Sequence, residues 1–225
     1  MGHRQKKPVV RETFIELVEI EESPLEEGVR IDLQTTGGVI ACRVHPAATG
    51  DVAVLWLCTA ESWGGPAGGL YPRLARQLVD DHVLSLELIC RLPHDLLQCL
   101  LDTVMVVGYL DVLGRNKVIL VGHSFGAAVV ISAATQSPNV IALAALATQT
   151  VGTSAVGDLA GKPLLLIHGD ADPITSESGS RELYALAQEP KKLIEYPGCG
   201  HEFNECPEEV DRDLLAWIRG VAASG

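Results

Sequence analysis

Residues 118–130 have the sequence VILVGHSFGAAVV, which is the most informative segment of this chain. Its first four residues form a short apolar run typical of a buried strand, and the run after Gly126 is typical of a helix. Between the two, Gly122 and Gly126 flank Ser124 in the pattern G-x-S-x-G. A tight turn from strand to helix would hold this serine in a strained conformation and expose its hydroxyl group. A serine at a helix start can also be an ordinary N-cap, so the rest of the chain must decide between these roles.

On both sides of this stretch, apolar runs of strand length alternate with amphipathic segments from about residue 52 to the end of the chain. We predict strands at residues 52–57, 83–88, 118–121, 140–146, 164–167 and 193–196, and helices at residues 72–79, 95–113, 124–134, 178–187 and 208–221. Before residue 52, alternating residues predict an antiparallel edge with strands at residues 13–20, 29–35 and 39–44. The pattern predicts an α/β protein with a mostly parallel sheet and helices on both faces.

Ligands bind such sheets at the carboxyl ends of the strands, and three of these ends carry reactive side chains. Ser124 follows one strand, the segment HGDADPIT places Asp170 and Asp172 after another, and YPGCGHEF places His201 after the last. A serine hydroxyl becomes a strong nucleophile when a histidine takes its proton and a carboxylate orients that histidine. Taken alone, Asp172 could be a turn residue before Pro173, and His201 could be an ordinary loop histidine.

The remaining histidines fit structural roles better. His45 precedes a proline and suits a turn, and His168 at a strand end suits packing or a turn better than the role of base. His123 is adjacent to Ser124, and its side chain should point away from the nucleophile.

Composition excludes several classes of function. The 225 residues suit one large domain, with residues 1–12 as a flexible N-terminal tail and residues 13–225 as the domain. A formal charge of −12 disfavours binding to nucleic acid or to anionic membranes. No apolar run reaches the length of a membrane helix, and none follows the basic N-terminus, so we expect a cytoplasmic protein without a secretory signal.

The six cysteines do not form any C-x-x-C pair. In a chain without a signal peptide they are expected to be reduced and mostly buried. Cys199 and His201 could together support thiol or metal chemistry, but two ligands do not make a zinc site, and a plain loop thiol is the simpler interpretation of Cys199.

These motifs together resemble the α/β-hydrolase family, in particular its small, lidless members of the dienelactone-hydrolase kind, over roughly residues 30–220. The resemblance implies an eight-stranded, mostly parallel sheet without a cap domain. It also implies Ser124 as nucleophile, Asp172 rather than Asp170 as acid, His201 as base, and the backbone N–H groups of Phe125 and Ala60 as the oxyanion hole. The family usually has His-Gly after its third strand, whereas this chain has Cys58-Thr59-Ala60, followed by the glycine-rich ESWGGPAGG. Trp63 and Tyr71 could line a pocket there or serve only in packing.

The leading hypothesis is a serine hydrolase that cleaves small carboxylic esters through an acyl-enzyme. Thioester or lactone cleavage would use the same three residues, and the altered oxyanion loop leaves open a non-catalytic binding protein that kept the fold. The hypothesis requires a small-molecule ester and implies no cofactor, no metal, no nucleic acid and no membrane. The protein would be a monomer or a homodimer.

Overall fold

The computed structural model describes residues 15–59 and 62–224, which form one nine-stranded sheet with helices on both faces. The strands are β1 (Leu17–Pro24), β2 (Val29–Thr35), β3 (Gly38–His45), β4 (Val52–Cys58), β5 (Leu84–Ile89), β6 (Lys117–His123), β7 (Val140–Leu146), β8 (Leu164–Gly169) and β9 (Lys191–Tyr196). The helices are α1 (Pro66–Val79), α2 (Leu96–Val112), α3 (Phe125–Ala134), α4 (Glu177–Leu186) and α5 (Pro207–Ser224).

The strands lie in the order β1-β2-β3-β5-β4-β6-β7-β8-β9. From β5 onward every neighbouring pair is parallel, whereas β1, β2 and β3 form an antiparallel edge that joins the rest through β5. The carboxyl ends of β6, β8 and β9 therefore face the same edge of the sheet. This arrangement brings the segments after these three strands close together.

The sheet is buried on both faces, which explains the continuous apolar runs in its central strands. Every residue of β4 and of β8 is buried. One face packs against α2, α3 and α4 through residues such as Val106, Val130 and Leu183. The other face packs against α1 and α5 through residues such as Leu74 and Leu214. The two apolar layers hold the central strands in one rigid frame.

The predicted α/β class with a mostly parallel sheet is confirmed. The sheet has nine strands, one more than the resemblance implied, because the N-terminal antiparallel edge adds a strand. The first strand also lies later in the chain than predicted, since β1 runs from Leu17 to Pro24 and the prediction was residues 13–20. The turn between β1 and β2 is confined to residues 25–28. All eight residues of β1 are exposed, so alternation of apolar residues does not mark its position. The predicted tail at residues 1–12 lies outside the described residues.

Local signals place the helix starts close to their predicted positions. Asp95 caps α2, where its carboxylate accepts a hydrogen bond from Gln98 N at 3.1 Å. The assigned range of α1 begins at Pro66, but Ala67, Gly68 and Gly69 all have positive φ. Regular helix therefore follows these residues, near the predicted start at residue 72.

The connection between β7 and β8, residues 147–163, is fully described and contains only a short 3₁₀ turn, Ser154–Asp158. This connection therefore does not contain a cap domain, which agrees with the lidless fold that the resemblance implied. None of the helices in the described ranges combines the length and apolar character needed to cross a membrane.

Candidate active site

Ser124 lies at the corner between β6 and α3 in a strained conformation. Its φ is 55° and its ψ is −117°. A positive φ of this size is uncommon for residues other than glycine. The surrounding structure holds it there, because Ser124 N donates to Leu146 O at 2.9 Å and Ala127 N donates to Ser124 O at 3.1 Å. The Ser124 side chain makes no capping hydrogen bond to α3. An ordinary N-cap role therefore does not account for this serine.

Close contacts across the corner require glycine at the first of the two glycine positions of the motif. A Cβ atom on Gly122 would lie closer than 3.0 Å to the backbone of Gly126. A Cβ atom on Gly126 would lie 3.4 Å from Leu57 O and from Thr59 Cγ2, at the edge of ordinary van der Waals contact. The corner therefore needs glycine at position 122 so that the first turn of α3 can pack against the end of β6.

Ser124, His201 and Asp172 form a continuous chain of hydrogen bonds at the carboxyl edge of the sheet. The distance from Ser124 Oγ to His201 Nε2 is 3.0 Å, and that from His201 Nδ1 to Asp172 Oδ2 is 2.7 Å. The Asp172 side chain is fully buried, and His201 is 7% exposed. The structure thus brings the three predicted side chains together in the geometry that activates a serine.

Asp172 is held as a carboxylate by its neighbours. Burial of the side chain raises its pKa, but four hydrogen bonds outweigh burial and lower the pKa of Asp172 to about 2. They come from Thr175 N at 2.9 Å, His201 Nδ1 at 2.7 Å, Thr175 Oγ1 at 2.7 Å and Ile174 N at 2.7 Å. The carboxylate therefore stays charged throughout the pH range in which a histidine base works.

This depressed pKa predicts a specific dependence of stability on pH. A carboxyl group whose pKa falls on folding stabilises the folded state above its ordinary pKa and loses that contribution as the pH falls toward the folded value. A fall from 3.8 to about 2 corresponds to about 2 kcal/mol at neutral pH. Roughly half of this should disappear between pH 5 and pH 3.

Chemical denaturation of the wild type and of Asp172→Asn at both pH values measures the effect. The wild type should lose about 1 kcal/mol more unfolding free energy than the variant between pH 5 and pH 3. An equal loss in both proteins would show that Asp172 does not titrate in this way.

Asp170 has a different role from Asp172. Its Oδ1 accepts a hydrogen bond from Gly198 N at 2.6 Å, and Asp170 N donates to Tyr196 O at 3.1 Å. Asp170 thus ties the end of β8 to the turn that precedes His201. The structure separates the two aspartates that the sequence left as candidates, and only Asp172 contacts the histidine.

A disulfide between Cys199 and Cys206 closes the loop that carries His201. The expectation of six reduced cysteines was wrong for this pair, although the other four cysteines are free and buried. The physical reason is the turn after β9, which brings two cysteines seven positions apart to a Cα–Cα distance of 6.0 Å. Since Cys199 has no free thiol, the alternative of thiol or metal chemistry at Cys199 and His201 is not supported.

The disulfide should contribute measurably to stability. Closing a loop of about eight residues lowers the entropy of the unfolded chain and is worth about 2.5 kcal/mol. The double variant Cys199→Ser/Cys206→Ser should lose about that much unfolding free energy in urea denaturation. Dithiothreitol should destabilise the wild type to a similar extent and leave the double variant unchanged. A wild type indifferent to reductant would argue that the bridge does not form in solution.

The oxyanion side of the site is described in part. Phe125 is the first residue of α3, so its backbone N–H belongs to the helix start, where N–H groups have no partner within the helix. The other predicted donor, Ala60, lies outside the described residues, and its role stays a prediction. Cys58 is the last residue of β4 and follows Leu57, which pairs with Gly122 of β6.

A buried carboxylate that the sequence analysis missed anchors the glycine-rich segment beyond Ala60. Glu87 is fully buried, and its Oε2 accepts from Gly64 N at 2.9 Å. Its Oε1 lies 2.6 Å from a terminal guanidinium nitrogen of Arg43 and 3.0 Å from His45 Nε2. His45 is therefore a buried partner of Glu87 and not a simple turn residue.

The two aromatic residues of this region mainly pack. The Arg43 guanidinium lies over the Trp63 ring at 5.5 Å, and the fully buried Tyr71 stacks at 5.1 Å from Trp56. Both also line a pocket of about 260 Å³, together with Thr59, His123 and other residues.

Two further side chains contact Asp172, and sequence reasoning did not predict either contact. Thr175 Oγ1 donates to Asp172 Oδ2 at 2.7 Å and lies 3.2 Å from His201 Nδ1. His168 is fully buried, with its Nε2 3.1 Å from Thr175 O and 3.3 Å from Asp172 Oδ2, and with its Nδ1 2.7 Å from Ser180 Oγ. Of the two histidines that contact Asp172, His201 is the one bonded to Ser124, in agreement with the structural role predicted for His168.

His123 points away from the Ser124 hydroxyl and supports the His201 loop. Its Nε2–H donates to the carbonyl oxygen of His201 at 2.9 Å, and the two imidazole rings lie 4.7 Å apart. Burial lowers the pKa of His123, although the hydrogen bond to the carbonyl opposes this effect. The ring is therefore neutral at neutral pH.

Comparison with known proteins supports the fold that these observations indicate. The family model described as Hydrolase_4, Serine aminopeptidase, S33, matches residues 153–206, which contain Asp172 and His201. An uncharacterized protein of Escherichia coli K12, YfhR, is 38% identical over 66 residues, a match that spans 28% of this chain and only 23% of that protein.

Solved structures match over much more of the chain. Est1E from Butyrivibrio proteoclasticus superimposes with a TM-score of 0.70 at 17% identity, covering 86% of this chain and 99% of that one. XC6422 from Xanthomonas campestris, described as an α/β serine hydrolase without a lid, superimposes with a TM-score of 0.67 at 21% identity, covering 88% and 97%. The likeness to these structures shows that the chain has the α/β-hydrolase fold, as the sequence motifs suggested.

Proposed function

We propose that this protein is a serine hydrolase that cleaves small carboxylic esters through an acyl-enzyme. The observation that carries the proposal is the unbroken chain from Ser124 Oγ through His201 to the buried Asp172 carboxylate. Similarity at 16–21% identity supports only the fold, so the reaction is inferred from the site itself.

The geometry supplies each proton transfer of the reaction. Ser124 Oγ attacks the acyl carbon while its proton passes to His201 Nε2, and Asp172 stabilises the resulting imidazolium. The N–H groups at the start of α3, with Phe125 first, can donate to the oxyanion of the tetrahedral intermediate. His201 then returns the proton to the leaving alcohol, and a water molecule activated by the same histidine releases the acid.

The surroundings favour a short substrate. A pocket of about 260 Å³ lies on the side of His123, and a second of about 350 Å³ begins at Thr175 on the side of the acid. The second pocket is lined largely by hydroxyl and amide groups, including those of Thr148, Gln149 and Ser176. Neither is a long apolar channel of the kind that binds a long acyl chain.

An active-site-directed phosphonate tests the proposal. The reagent should form one covalent adduct, and peptide mass spectrometry should locate it on Ser124. Ser178 is an exposed serine near the same edge of the sheet, so the variant Ser178→Ala should be labelled like the wild type. A well-folded protein that forms no adduct on Ser124 would favour a binding protein that kept the fold.

A panel of substrates then separates the ester from its alternatives. We expect p-nitrophenyl acetate and butyrate to be cleaved faster than the octanoate, since the described pockets are small. If a short thioester or a lactone were cleaved faster than the esters, the mechanism would stay the same and the substrate class would be changed to that compound. A strong preference for long acyl chains would contradict the open site.

A further inference from the structure

A second chemistry is available beside the nucleophile, where two histidines and a carboxylate come together. One ring nitrogen of His123, one of His201 and one carboxylate oxygen of Glu202 lie within 4.8 Å of one another. It is the single cluster of three histidine, cysteine, aspartate or glutamate side chains with this spacing in the part of the chain that the structure describes. Glu202 is exposed and His123 is half-buried, so an ion from solvent can reach the cluster.

The hydrogen bonds determine where each ring holds its free electron pair. His123 Nε2 must carry a hydrogen because its partner at 2.9 Å, the carbonyl oxygen of His201, can only accept. The electron pair of His123 is therefore on Nδ1. His201 donates from Nδ1 to the Asp172 carboxylate at 2.7 Å, so its electron pair is on Nε2.

Glu202 completes the set. Its backbone carbonyl accepts a hydrogen bond from Ala67 N at 2.7 Å, which fixes the residue against the start of α1. Among residues 15–59 and 62–224, no hydrogen bond or salt bridge is made to its carboxylate, whose charge acts on His123. A negatively charged oxygen is thus available beside two imidazole nitrogens.

We propose that His123, His201 and Glu202 bind a divalent transition-metal ion of the zinc type, and that the bound ion inhibits the enzyme. Two imidazole nitrogens and one carboxylate oxygen form a ligand set that Zn²⁺ favours, whereas Mg²⁺ and Ca²⁺ favour oxygen ligands alone. Ligands on one zinc ion lie about 3.4 Å apart, since its bonds to nitrogen are about 2.0–2.1 Å long. The three ligand atoms lie within 4.8 Å of one another in the free protein, so the side chains must move closer together when the ion binds.

Inhibition is expected because the ion and the reaction would use the same electron pair of His201. The pair on His201 Nε2 is the one that accepts the proton of Ser124, at 3.0 Å in the free site. An ion bound to this nitrogen prevents the proton transfer, so metal and catalysis exclude each other. The inhibitory effect rests on the proposed serine hydrolase, whereas binding of the ion does not.

Binding is tested first, on the full chain stripped of metal, with Zn²⁺ and a chromophoric chelator as competitor. We expect one Zn²⁺ per chain, and His123→Gln and Glu202→Gln should each weaken binding at least about tenfold. His82→Asn and Glu208→Gln are the matched controls, because both residues are exposed and lie outside the cluster. Ser124→Ala should bind Zn²⁺ as the wild type does, since the serine is not a ligand.

Inhibition is tested next, with each variant compared to its own metal-free rate. Zn²⁺ should inhibit the wild type reversibly, a chelator should restore the rate, and Mg²⁺ at the same concentration should have no effect. His123→Gln should need at least about tenfold more Zn²⁺ for half-inhibition. Equal Zn²⁺ affinity in the wild type, His123→Gln and Glu202→Gln would overturn the site. If no ester is cleaved, the proposed function fails. The Zn²⁺ affinities of the wild type and the variants would still show whether these residues bind the ion.

Discussion

Replacing Ser124 with alanine should reduce the hydrolysis of p-nitrophenyl acetate by about 10⁶-fold in kcat, close to the rate without enzyme. The reason is that Ser124 supplies the hydroxyl within hydrogen-bond distance of His201 Nε2, at 3.0 Å, so the variant retains a base without a nucleophile. The N–H groups of the α3 start remain and can leave a small residual rate. The measurement is the initial rate of p-nitrophenol release by both proteins at equal concentration.

The substitution is well suited to this test because it preserves the backbone. Serine and alanine both carry a Cβ atom, so the strain at a φ of 55° should be similar in the two proteins. Thermal unfolding should therefore differ little between them. Ser132→Ala is the matched control in α3. Within residues 15–59 and 62–224 the lost hydroxyl bonds only to Gly152 O at 3.0 Å, and the activity of this variant should be close to that of the wild type. Activity of Ser124→Ala within tenfold of the wild type would exclude Ser124 as the nucleophile.

The fold was predictable because its signals are local and repeated. The buried central strands appear as apolar runs, and the helices between them show the spacing of one apolar face. The G-x-S-x-G corner marks the edge of the sheet at which to look for partners, and Asp172 and His201 follow strands that end at that edge. Strand β1 lacked such a signal, because an exposed edge strand does not need apolar alternation.

The contacts around the triad could not be predicted, because they depend on how separate segments meet. Thr175 and His168 contact Asp172 only after the chain turns back at the end of β8. Glu87 of β5 accepts a hydrogen bond from Gly64 N in the segment after β4, although no motif in the sequence marks either residue. The disulfide also depends on a turn whose geometry is not encoded in the cysteine spacing.

The strongest test of the assignment of the acid is Asp172→Asn, compared with Asp170→Asn. Asparagine keeps an oxygen to accept from Ile174 N and Thr175 N, but its amide nitrogen would face His201 Nδ1. A donor in this position forces the hydrogen of His201 onto Nε2, and this nitrogen then cannot take the proton of Ser124. We expect kcat to fall about 10⁴-fold with little change in KM.

Asp170→Asn is the matched control, because its amide oxygen can still accept from Gly198 N and the residue does not contact His201. Its kcat should stay within a few-fold of the wild-type value, and circular dichroism should show that both variants are folded. A larger loss in Asp170→Asn than in Asp172→Asn would reverse the assignment. It would mean that the orientation of the turn before His201, and not the charge beside its ring, limits the reaction.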